Sequence, residues 1–339
     1  MSNQKVSISR FSDFSESDVN CVHALIRYME ENNINLQNPD DYAVIQELAN
    51  DLPSSLRDFL DRTMAERQAV TVVDTTQLVG PVTVETPAHW NIVDELNVAK
   101  RQSYVYALIS SYVGYVFGWA TQQNGRLMHD ILPIKEHSYE QVGFSSSEEL
   151  SFHTEDAFHE NRCDFLSLMC MRNNEKVPTS FWSAHGLGDE VEQFDKLFEE
   201  HFAIMPDNSH KPELNQGSVN SFDSINQLLE KPRKTSVLSG EWNKPDLCID
   251  PDYCLVTSDS EVAQQQYSTF VQKIKDELID ISLTAGEICL VNNSHVVHGR
   301  RRFTASFNGQ DRWLKRLNLF SHKNKEKIAS INSKTRLIG

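Results

Sequence analysis

The segment SFHTEDAFH, residues 151–159, places a histidine and a carboxylate, His153 and Glu155, two positions apart. In an extended strand residues i and i+2 point to the same side, so these two side chains are predicted to converge. The segment NNSHVVHGR supplies a candidate third ligand, His298, far downstream. Two histidines and one carboxylate on one face of a metal ion form the facial triad of non-haem iron(II) sites, which leaves coordination positions open. The pattern His-x-Glu is common by itself, so the iron site needs support from other residues.

A pair of arginines supplies that support. In the segment GQDRWLKRLNLF, Arg312, Leu314 and Arg316 alternate with other residues, so a strand would present both guanidinium groups on one face. Arginine binds carboxylates through a planar fork, and two buried arginines without acids are costly. The spacing predicts a pocket for ligands that carry carboxylates. The alternative is a solvated strand in which both arginines pair with surface acids.

Several segments together resemble one known family. They are FGWATQQNGR and ILPIK, then HTEDAFH, and finally DRWLKR shortly after the histidine of HGR. In this order and spacing they are similar to the clavaminate synthase-like iron(II)/2-oxoglutarate oxygenases, and within them to the free L-arginine and L-lysine hydroxylases of the viomycin type. The resemblance covers roughly residues 90–339. It implies a mixed α and β fold whose core is a double-stranded β-helix, or jelly roll, flanked by helices.

The resemblance also implies roles for individual residues and for three small molecules. His153, Glu155 and His298 would bind Fe(II), and O2 and 2-oxoglutarate would be the cosubstrates. Arg312 would hold the distal carboxylate of 2-oxoglutarate, with Ser180 or Thr179 offering a hydroxyl beside it. The residues implied to contact an amino acid substrate are Gln122, Glu155, Ser209, Asp250, Asp252 and Arg316.

Asp250 and Asp252 bear on the substrate. Two carboxylates close together repel each other, and a cationic side chain offsets that cost, so the pair favours a basic amino acid over a neutral one. A guanidinium fits two carboxylates well. Pro251 between them departs from the arginine enzymes, however, and the expectation is narrowly L-lysine over L-arginine. Hydroxylation at C3 or C4 would yield the hydroxy-amino acid, succinate and CO2.

Two other classes of function stay open on the residues alone. A zinc hydrolase also uses two histidines and a glutamate with one open position, but it has no evident use for Arg312 and Arg316. A jelly-roll binding module without catalysis would not need the iron ligands and Arg312 together. His159 and His295 lie near the proposed ligands, and both are interpreted as residues that do not bind the metal.

The elements that must position these residues divide the chain of 339 residues into two parts of one domain. Residues 1–120 are predicted to be mainly helical, and residues 121–339 to form the jelly-roll core from short apolar strands. Helical insertions are expected at 189–202 and 261–281, and a lid near 208–226, because a long polar stretch without periodicity is more often functional than idle.

Charge and residue composition argue against nucleic acid and a membrane as partners. The formal charge is −16, from 48 acidic and 32 basic residues, which disfavours nucleic acid. The uncharged stretch 103–125 is long enough for a membrane span, but its polar residues favour a buried helix running to about Trp119. The scattered cysteines and the polar N-terminal residues favour a cytoplasmic protein. The oligomeric state is not indicated.

Overall fold

A computed structural model of the protein describes residues 6–96, 99–137, 147–215 and 222–339. The α-helices in this part of the chain are α1 Glu16–Glu31, α2 Asp41–Leu48, α3 Ser54–Ala65, α4 Thr76–Val79, α5 Val93–Leu96, α6 Lys100–Val113, α7 Asp223–Glu230, α8 Glu261–Glu277 and α9 Lys325–Ser330. Six of them precede residue 120.

The strands of the described residues are β1 Ile8–Phe11, β2 Val70–Asp74, β3 Gly114–Trp119, β4 His129–Ile131, β5 Leu150–His153, β6 Phe165–Arg172, β7 Thr179–Ser183, β8 Phe202–Ile204, β9 Lys234–Thr235, β10 Leu238–Glu241, β11 Lys244–Leu247, β12 Cys254–Val256, β13 Ile279–Ile281, β14 Glu287–Asn292, β15 Val296–Arg300, β16 Trp313–Ser321 and β17 Leu337–Ile338. Three of these strands, β1, β2 and β3, come from residues 1–120, the part that was predicted to be mainly helical.

Two sheets form the core of the molecule. The larger has the order β1-β2-β14-β6-β16-β3-β17, with β4 also paired to β16. The smaller is antiparallel, in the order β13-β7-β15-β5. Apolar side chains of both sheets, Leu168 from β6 and Phe181 from β7 among them, belong to one buried cluster. Because β2 pairs with β14, the N-terminal part is continuous with the larger sheet.

Helix α6 covers the larger sheet on the side away from the smaller one, and it is buried on almost every face. The sequence predicts that it runs to about Trp119, and this is wrong, because the helix ends at Val113 and β3 begins at Gly114. A Cβ on Gly114 would lie 2.6 Å from the carbonyl oxygen of Phe320, so the tight pairing of β3 with β16 requires glycine there. No helix in the described ranges is both long and apolar enough to span a membrane.

The insertions follow the predicted pattern with differences. Residues Gly188–Phe198 form 3₁₀ rather than α-helical turns, and the chain then enters β8. Helix α8 ends at Glu277, after which β13 adds to the smaller sheet. In the predicted lid, Asn208–His210 and Pro212–Leu214 are short 3₁₀ turns and α7 begins at Asp223, whereas 216–221 lie outside the described residues. All six cysteines are free thiols.

Candidate active site

The predicted metal ligands come from the smaller sheet and the turn that follows it. Strand β5 ends at His153, so Glu155 does not lie on the strand as the spacing argument assumes. It lies in a turn in which its backbone N–H donates to Asn293 Oδ1 at 2.7 Å, and Asp156 then adopts a left-handed φ of 51°. His298 pairs directly with His153 across β15 and β5. The turn therefore brings the carboxylate back over the two histidines.

One side-chain atom from each of His153, Glu155 and His298 lies within 4.8 Å of the other two. Nε2 of His298 is 3.3 Å from Glu155 Oε2, and Nε2 of His153 is 3.8 Å from the same oxygen. The Nδ1–H of His153 donates to the carbonyl oxygen of Ser151 at 2.8 Å, which leaves the lone pair on Nε2. A backbone carbonyl that orients the imidazole in this way is typical of metal-binding histidines. The donor set therefore fits a transition-metal ion.

Glu155 is buried, and its charge is stabilised by its neighbours. Burial alone would raise the pKa of its carboxyl group, but Arg316 and the two histidines outweigh burial and hold the pKa well below its usual range. Arg316 Nη1 donates to Glu155 Oε1. The carboxylate therefore stays ionised, as a metal ligand must be.

A cavity of about 840 Å³, counted to its open mouth, lies between the two sheets in front of these ligands. It is within the range for a site that binds a small molecule. Arg312, Leu314 and Arg316 all line it, as the predicted alternation along β16 requires, although Arg312 itself precedes the first residue of that strand.

Arg312 has no acidic partner among the residues that the structure describes. Its guanidinium is buried, and its Nη2 donates to Thr179 Oγ1 at 3.3 Å. Burial lowers the pKa of Arg312 to about 10. Of the two predicted hydroxyls, Thr179 lines the cavity, whereas Ser180 donates to Asp280 Oδ1 at 2.6 Å and does not line it. Neighbouring residues of a strand face opposite ways, so only Thr179 is placed to act with Arg312.

Both terminal nitrogens of the Arg316 guanidinium have partners. Besides Glu155, its Nη2 donates to Gln122 Oε1 at 2.8 Å and contacts His129 Nδ1 at 2.7 Å. The other end of the Gln122 amide donates to Ser209 Oγ at 2.8 Å. The structure therefore brings together four residues that the sequence analysis assigns to the substrate: Gln122, Glu155, Ser209 and Arg316.

Asp250 and Asp252 both line the cavity, but they do not lie on a strand face. Residues 250–253 form a turn in which the N–H of Asp252 donates to Asp250 Oδ1 at 3.1 Å, because Asp-Pro-Asp favours a turn over a strand. Asp252 is exposed rather than buried. Burial raises the pKa of the Asp250 carboxyl group to about 7; His153 lowers this pKa, and Asp207 and Asp252 raise it further.

Two charged residues of the cavity were missed by the sequence analysis. Asp207 lines it together with Ser209, two positions later in PDNSH, and this spacing could have identified it. Arg300 lines it two positions after His298 on β15. The histidines interpreted as non-ligands lie outside the group of three. The ring of His159 accepts from the N–H of Asn161 at 3.0 Å, and His295 Nδ1 lies 3.0 Å from Ser183 Oγ.

No family model matches the sequence. Individual proteins do match it over most of its length. An L-ornithine/L-arginine 3-hydroxylase of Catenulispora acidiphila is 36% identical over 80% of this chain and 82% of its own. The enduracididine beta-hydroxylase of Streptomyces hygroscopicus is 32% identical over 95% of this chain and 98% of its own. The chain belongs to the clavaminate synthase-like iron(II)/2-oxoglutarate oxygenases.

The oxygenase fold is also found in solved structures. The non-haem iron oxygenase OrfP, in complex with Fe, succinate and (3S)-hydroxy-L-Arg, matches with a TM-score of 0.85 and 31% identity over 97% of this chain and 99% of its own. OrfP has also been solved with Fe and alpha-ketoglutaric acid. An L-lysine 3-hydroxylase of Catenulispora acidiphila is 30% identical over 62% of this chain and 56% of its own. The protein is thus a 2-oxoglutarate-dependent oxygenase, and its relatives hydroxylate amino acids.

Proposed function

We propose that this oxygenase hydroxylates a free basic L-amino acid of the arginine type at C3, with Fe(II), 2-oxoglutarate and O2. One oxygen atom of O2 would enter the C–H bond of the amino acid as a hydroxyl group. The other would enter 2-oxoglutarate, which loses CO2 and becomes succinate. All atoms and electrons balance in this reaction without a further reductant.

One observation carries the proposal, and it is the distribution of charge in the cavity. Arg312 is a buried cation without an acidic partner, whereas Asp207, Asp250 and Asp252 are acids that form no ion pair with a lysine or arginine of the described chain. A buried charge without a partner is costly, so Arg312 and the partly buried Asp207 and Asp250 favour ligands of the opposite charge, whereas the exposed Asp252 adds to the negative charge at the cavity. A dicarboxylic cosubstrate and a cationic substrate supply those two charges.

The side chains near the metal site would act by binding and orientation. His153, Glu155 and His298 would hold iron, which when bound supplies the redox chemistry that activates O2. Arg312 would bind the distal carboxylate of 2-oxoglutarate through its planar fork, with Thr179 Oγ1 beside it. The protein would contribute mainly positioning and the exclusion of water, since the cofactor performs the difficult step.

The backbone end of the amino acid would bind near Gln122, Ser209 and Arg316. Arg316 has one guanidinium edge on Glu155 and Gln122, so a substrate carboxylate would join a group of side chains that is already ordered. Groups held in place before binding lose less conformational entropy when the ligand arrives. The cationic end of the substrate would then extend toward Asp207 and Asp250.

The choice between arginine and lysine differs from the narrow expectation of the sequence analysis. The two relatives that align over the greater part of their length are named for ornithine, arginine and enduracididine, and the lysine hydroxylase aligns over a shorter share. A third carboxylate, Asp207, further favours a guanidinium, which can donate to more than one acid at once. We therefore place L-arginine and L-ornithine ahead of L-lysine. Position C3 follows the names of the same two relatives.

We also infer that the two sheets are the halves of a double-stranded β-helix and that residues 1–339 form a single oxygenase domain. The cavity between the sheets and the pairing of β2 with β14 support this interpretation. A cytoplasmic location stays a prediction.

A panel of free L-amino acids, each incubated with Fe(II), 2-oxoglutarate and O2, tests the proposed function. Arginine or ornithine is expected to give succinate and a product heavier by one oxygen atom, with fragments that place the hydroxyl group at C3. Lysine is expected to react more slowly. Turnover of neutral or acidic amino acids alone would exclude a role of the three carboxylates in binding a cation.

The reaction class has its own test. Anaerobic addition of 2-oxoglutarate to the Fe(II) protein is expected to give a weak visible charge-transfer band. This band requires 2-oxoglutarate to bind the iron ion that the protein holds. A zinc hydrolase or a binding module would give no such band. Arg312→Met is the matched control, because it should weaken binding of 2-oxoglutarate while leaving the three metal ligands in place.

A further inference from the structure

A buried histidine, His210, lies where three segments of the cavity wall meet. One segment is the chain after β3, with Thr121 and Gln122, and another is the turn that carries Glu155. The third is 207–210, the start of the predicted lid. Each segment presents a proposed substrate contact, namely Gln122, Glu155, and Asp207 with Ser209. The side chain of His210 is fully buried, and it does not line the cavity itself.

The ring nitrogens of His210 connect these segments. Nδ1 lies 2.7 Å from Thr121 Oγ1, and Nε2 lies 3.3 Å from Asp156 Oδ1. Asp156 also accepts from Trp119 Nε1 at 2.6 Å, so its carboxyl group acts as an acceptor here. Nε2 of His210 also lies 3.1 Å from the amide nitrogen of Gln122, so the ring contacts Asp156, Thr121 and Gln122 directly.

Asp156 is an unusual residue for a turn that must hold a metal ligand. Its φ of 51° is in the left-handed region, which is unfavourable for residues other than glycine, although aspartate tolerates it better than most residues do. Such a conformation persists when surrounding contacts enforce it. The hydrogen bond from Trp119 to its carboxylate and the contact of that carboxylate with His210 are of this kind, and they fix the residue next to Glu155.

Asp156, Asp207 and His210 also lie close enough together to suggest a second cation site. The hydrogen bonds argue against it, because Asp156 and both ring nitrogens of His210 already have protein partners. The same contacts are explained by a structural connection between the segments.

We propose that His210 is a positioning residue, which holds the substrate segment 207–210 and the loop of Gln122 in register with the turn that carries Glu155. This inference rests on the proposed function. Without the connection, the amino acid would bind less tightly and sit less accurately before the metal. A displacement of about 1 Å is enough to lower turnover strongly. Consumption of 2-oxoglutarate would then continue without matching hydroxylation.

The chain offers a matched control for this proposal. His210 and His159 both pack edge-on against Trp119, with ring centroids 5.1 and 5.0 Å away. Both also pack against Phe158, at 4.9 and 5.9 Å. His159, however, makes its ring hydrogen bond to the N–H of Asn161 and contacts neither Asp156 nor Thr121 through its ring. His210→Phe and His159→Phe therefore remove similar rings but different connections.

The experiment compares wild type, His210→Phe and His159→Phe with the amino acid that the wild type hydroxylates. In His210→Phe the KM of that amino acid is expected to rise about tenfold, a loss of roughly 1.4 kcal/mol. The amount of hydroxylated product per succinate should fall about threefold or more, while 2-oxoglutarate affinity stays within about twofold. His159→Phe should resemble the wild type. His210→Gln, which restores a donor to Asp156, should recover part of the coupling.

A second measurement does not need activity. Hydrogen–deuterium exchange of the metal-free proteins should be faster in His210→Phe than in His159→Phe at 121–122 and 207–215. Equal exchange and equal coupling in the two variants would overturn the proposal. If His210→Phe does not fold, Thr121→Val removes one of the same hydrogen bonds with little change of shape and should shift both readouts in the same direction. A wild type that prefers a neutral amino acid would refute the proposed substrate, but the connection would still be tested on that amino acid.

Discussion

Arg312 and Arg316 lie on the same cavity and are separated by only three residues, yet their surroundings differ in a fundamental way. Arg316 pairs with Glu155 and also contacts Gln122 and His129. Within the part of the chain that the structure describes, Arg312 donates only to the hydroxyl of Thr179, and burial lowers its pKa to about 10. One guanidinium is therefore part of the protein's own charge network, whereas the other is the one that we propose binds an anionic ligand. Arg316 is thus held by contacts within the protein, whereas the proposed role of Arg312 depends on a ligand.

The largest expected effect comes from removing the acid of the Arg316 network. Glu155→Ala should abolish succinate formation, as should His153→Ala and His298→Ala, because each removes a proposed metal ligand. Glu155→Ala should also destabilise the protein by about 3–5 kcal/mol, since it leaves Arg316 buried without its acid. Assays of succinate and denaturant unfolding measure both effects. Wild-type turnover in Glu155→Ala would show that another carboxylate, with Asp156 the first candidate, binds the metal.

The same comparison predicts opposite effects on stability at the two arginines. Arg316→Met should lower the free energy of unfolding of the metal-free protein by about 3–5 kcal/mol, because Glu155 loses its partner. Arg312→Met removes a buried cation that has no acid, so it should leave the stability unchanged or raise it. Urea unfolding of the two variants provides the measurement. Equal destabilisation by both changes would mean that Arg312 has an acidic partner in the folded protein.

Binding separates the two arginines as well. Arg312→Lys keeps the charge and loses the planar fork, so the apparent affinity for 2-oxoglutarate should fall by about 1–3 kcal/mol. Arg316→Lys should mainly weaken binding of the amino acid. Kinetic titration of each substrate at saturating concentrations of the other distinguishes the effects. The reverse pattern would exchange the roles of the two residues.

The sequence predicted those parts of the site in which local geometry decides the direction of side chains. Leu314 and Arg316 share one face because β16 is a long strand paired on both sides, and Arg312, just before that strand, lines the same cavity. His153, Glu155 and His298 come together in the folded chain, but the argument that predicted their convergence was incomplete. Their convergence depends on a turn that Asn293 fixes from a distant segment, and no local pattern contains that contact.

The division of the apolar run into α6 and β3, and the surroundings of Asp207, depend on tertiary contacts. The apolar run after residue 103 suits a helix or a strand equally well, and its division at Gly114 is decided by the pairing of β3 with β16. Asp207 was missed although its spacing from Ser209 could have identified it, and its Oδ1 caps a 3₁₀ turn by accepting from the N–H of Ser209 at 2.7 Å. The segment also receives a contact from Tyr253, whose hydroxyl oxygen accepts from the N–H of Asn208 at 3.2 Å. Only the folded chain brings that tyrosine near.

A smaller effect is expected at the acidic group. Asp250→Asn should raise the KM for the basic amino acid by about tenfold, in the range of a lost charged hydrogen bond. Asp252→Asn should have a weaker effect, because Asp252 is exposed and water screens its charge. Consumption of 2-oxoglutarate without hydroxylation should persist in both variants. A larger loss in Asp252→Asn than in Asp250→Asn would reverse the assignment of the main cation contact.

The smallest expected effect is on pH dependence, and it also arises at Asp250. Burial raises the pKa of this carboxyl group in the folded protein to about 7, opposed by His153 and assisted by Asp207 and Asp252. In the unfolded chain its pKa is about 3.9. Between these values the folded state binds a proton that the unfolded state has lost. The contribution of this group to the free energy of unfolding therefore falls as the pH rises from about 4 to about 7.

A cationic substrate should offset the cost of ionising Asp250 in the folded protein, because its charge favours the ionised form of this carboxyl group. Binding of arginine near pH 7 is therefore expected to release protons from this carboxyl group, which calorimetry in buffers of different ionisation enthalpy can count. Asp250→Asn should reduce the proton release and flatten the decline in stability of the metal-free protein between about pH 4 and pH 7. Identical proton release in the wild type and Asp250→Asn would show that the substrate cation binds away from this carboxylate. The cavity would then have its anion subsite at Arg312 as proposed, with the cationic side chain directed elsewhere.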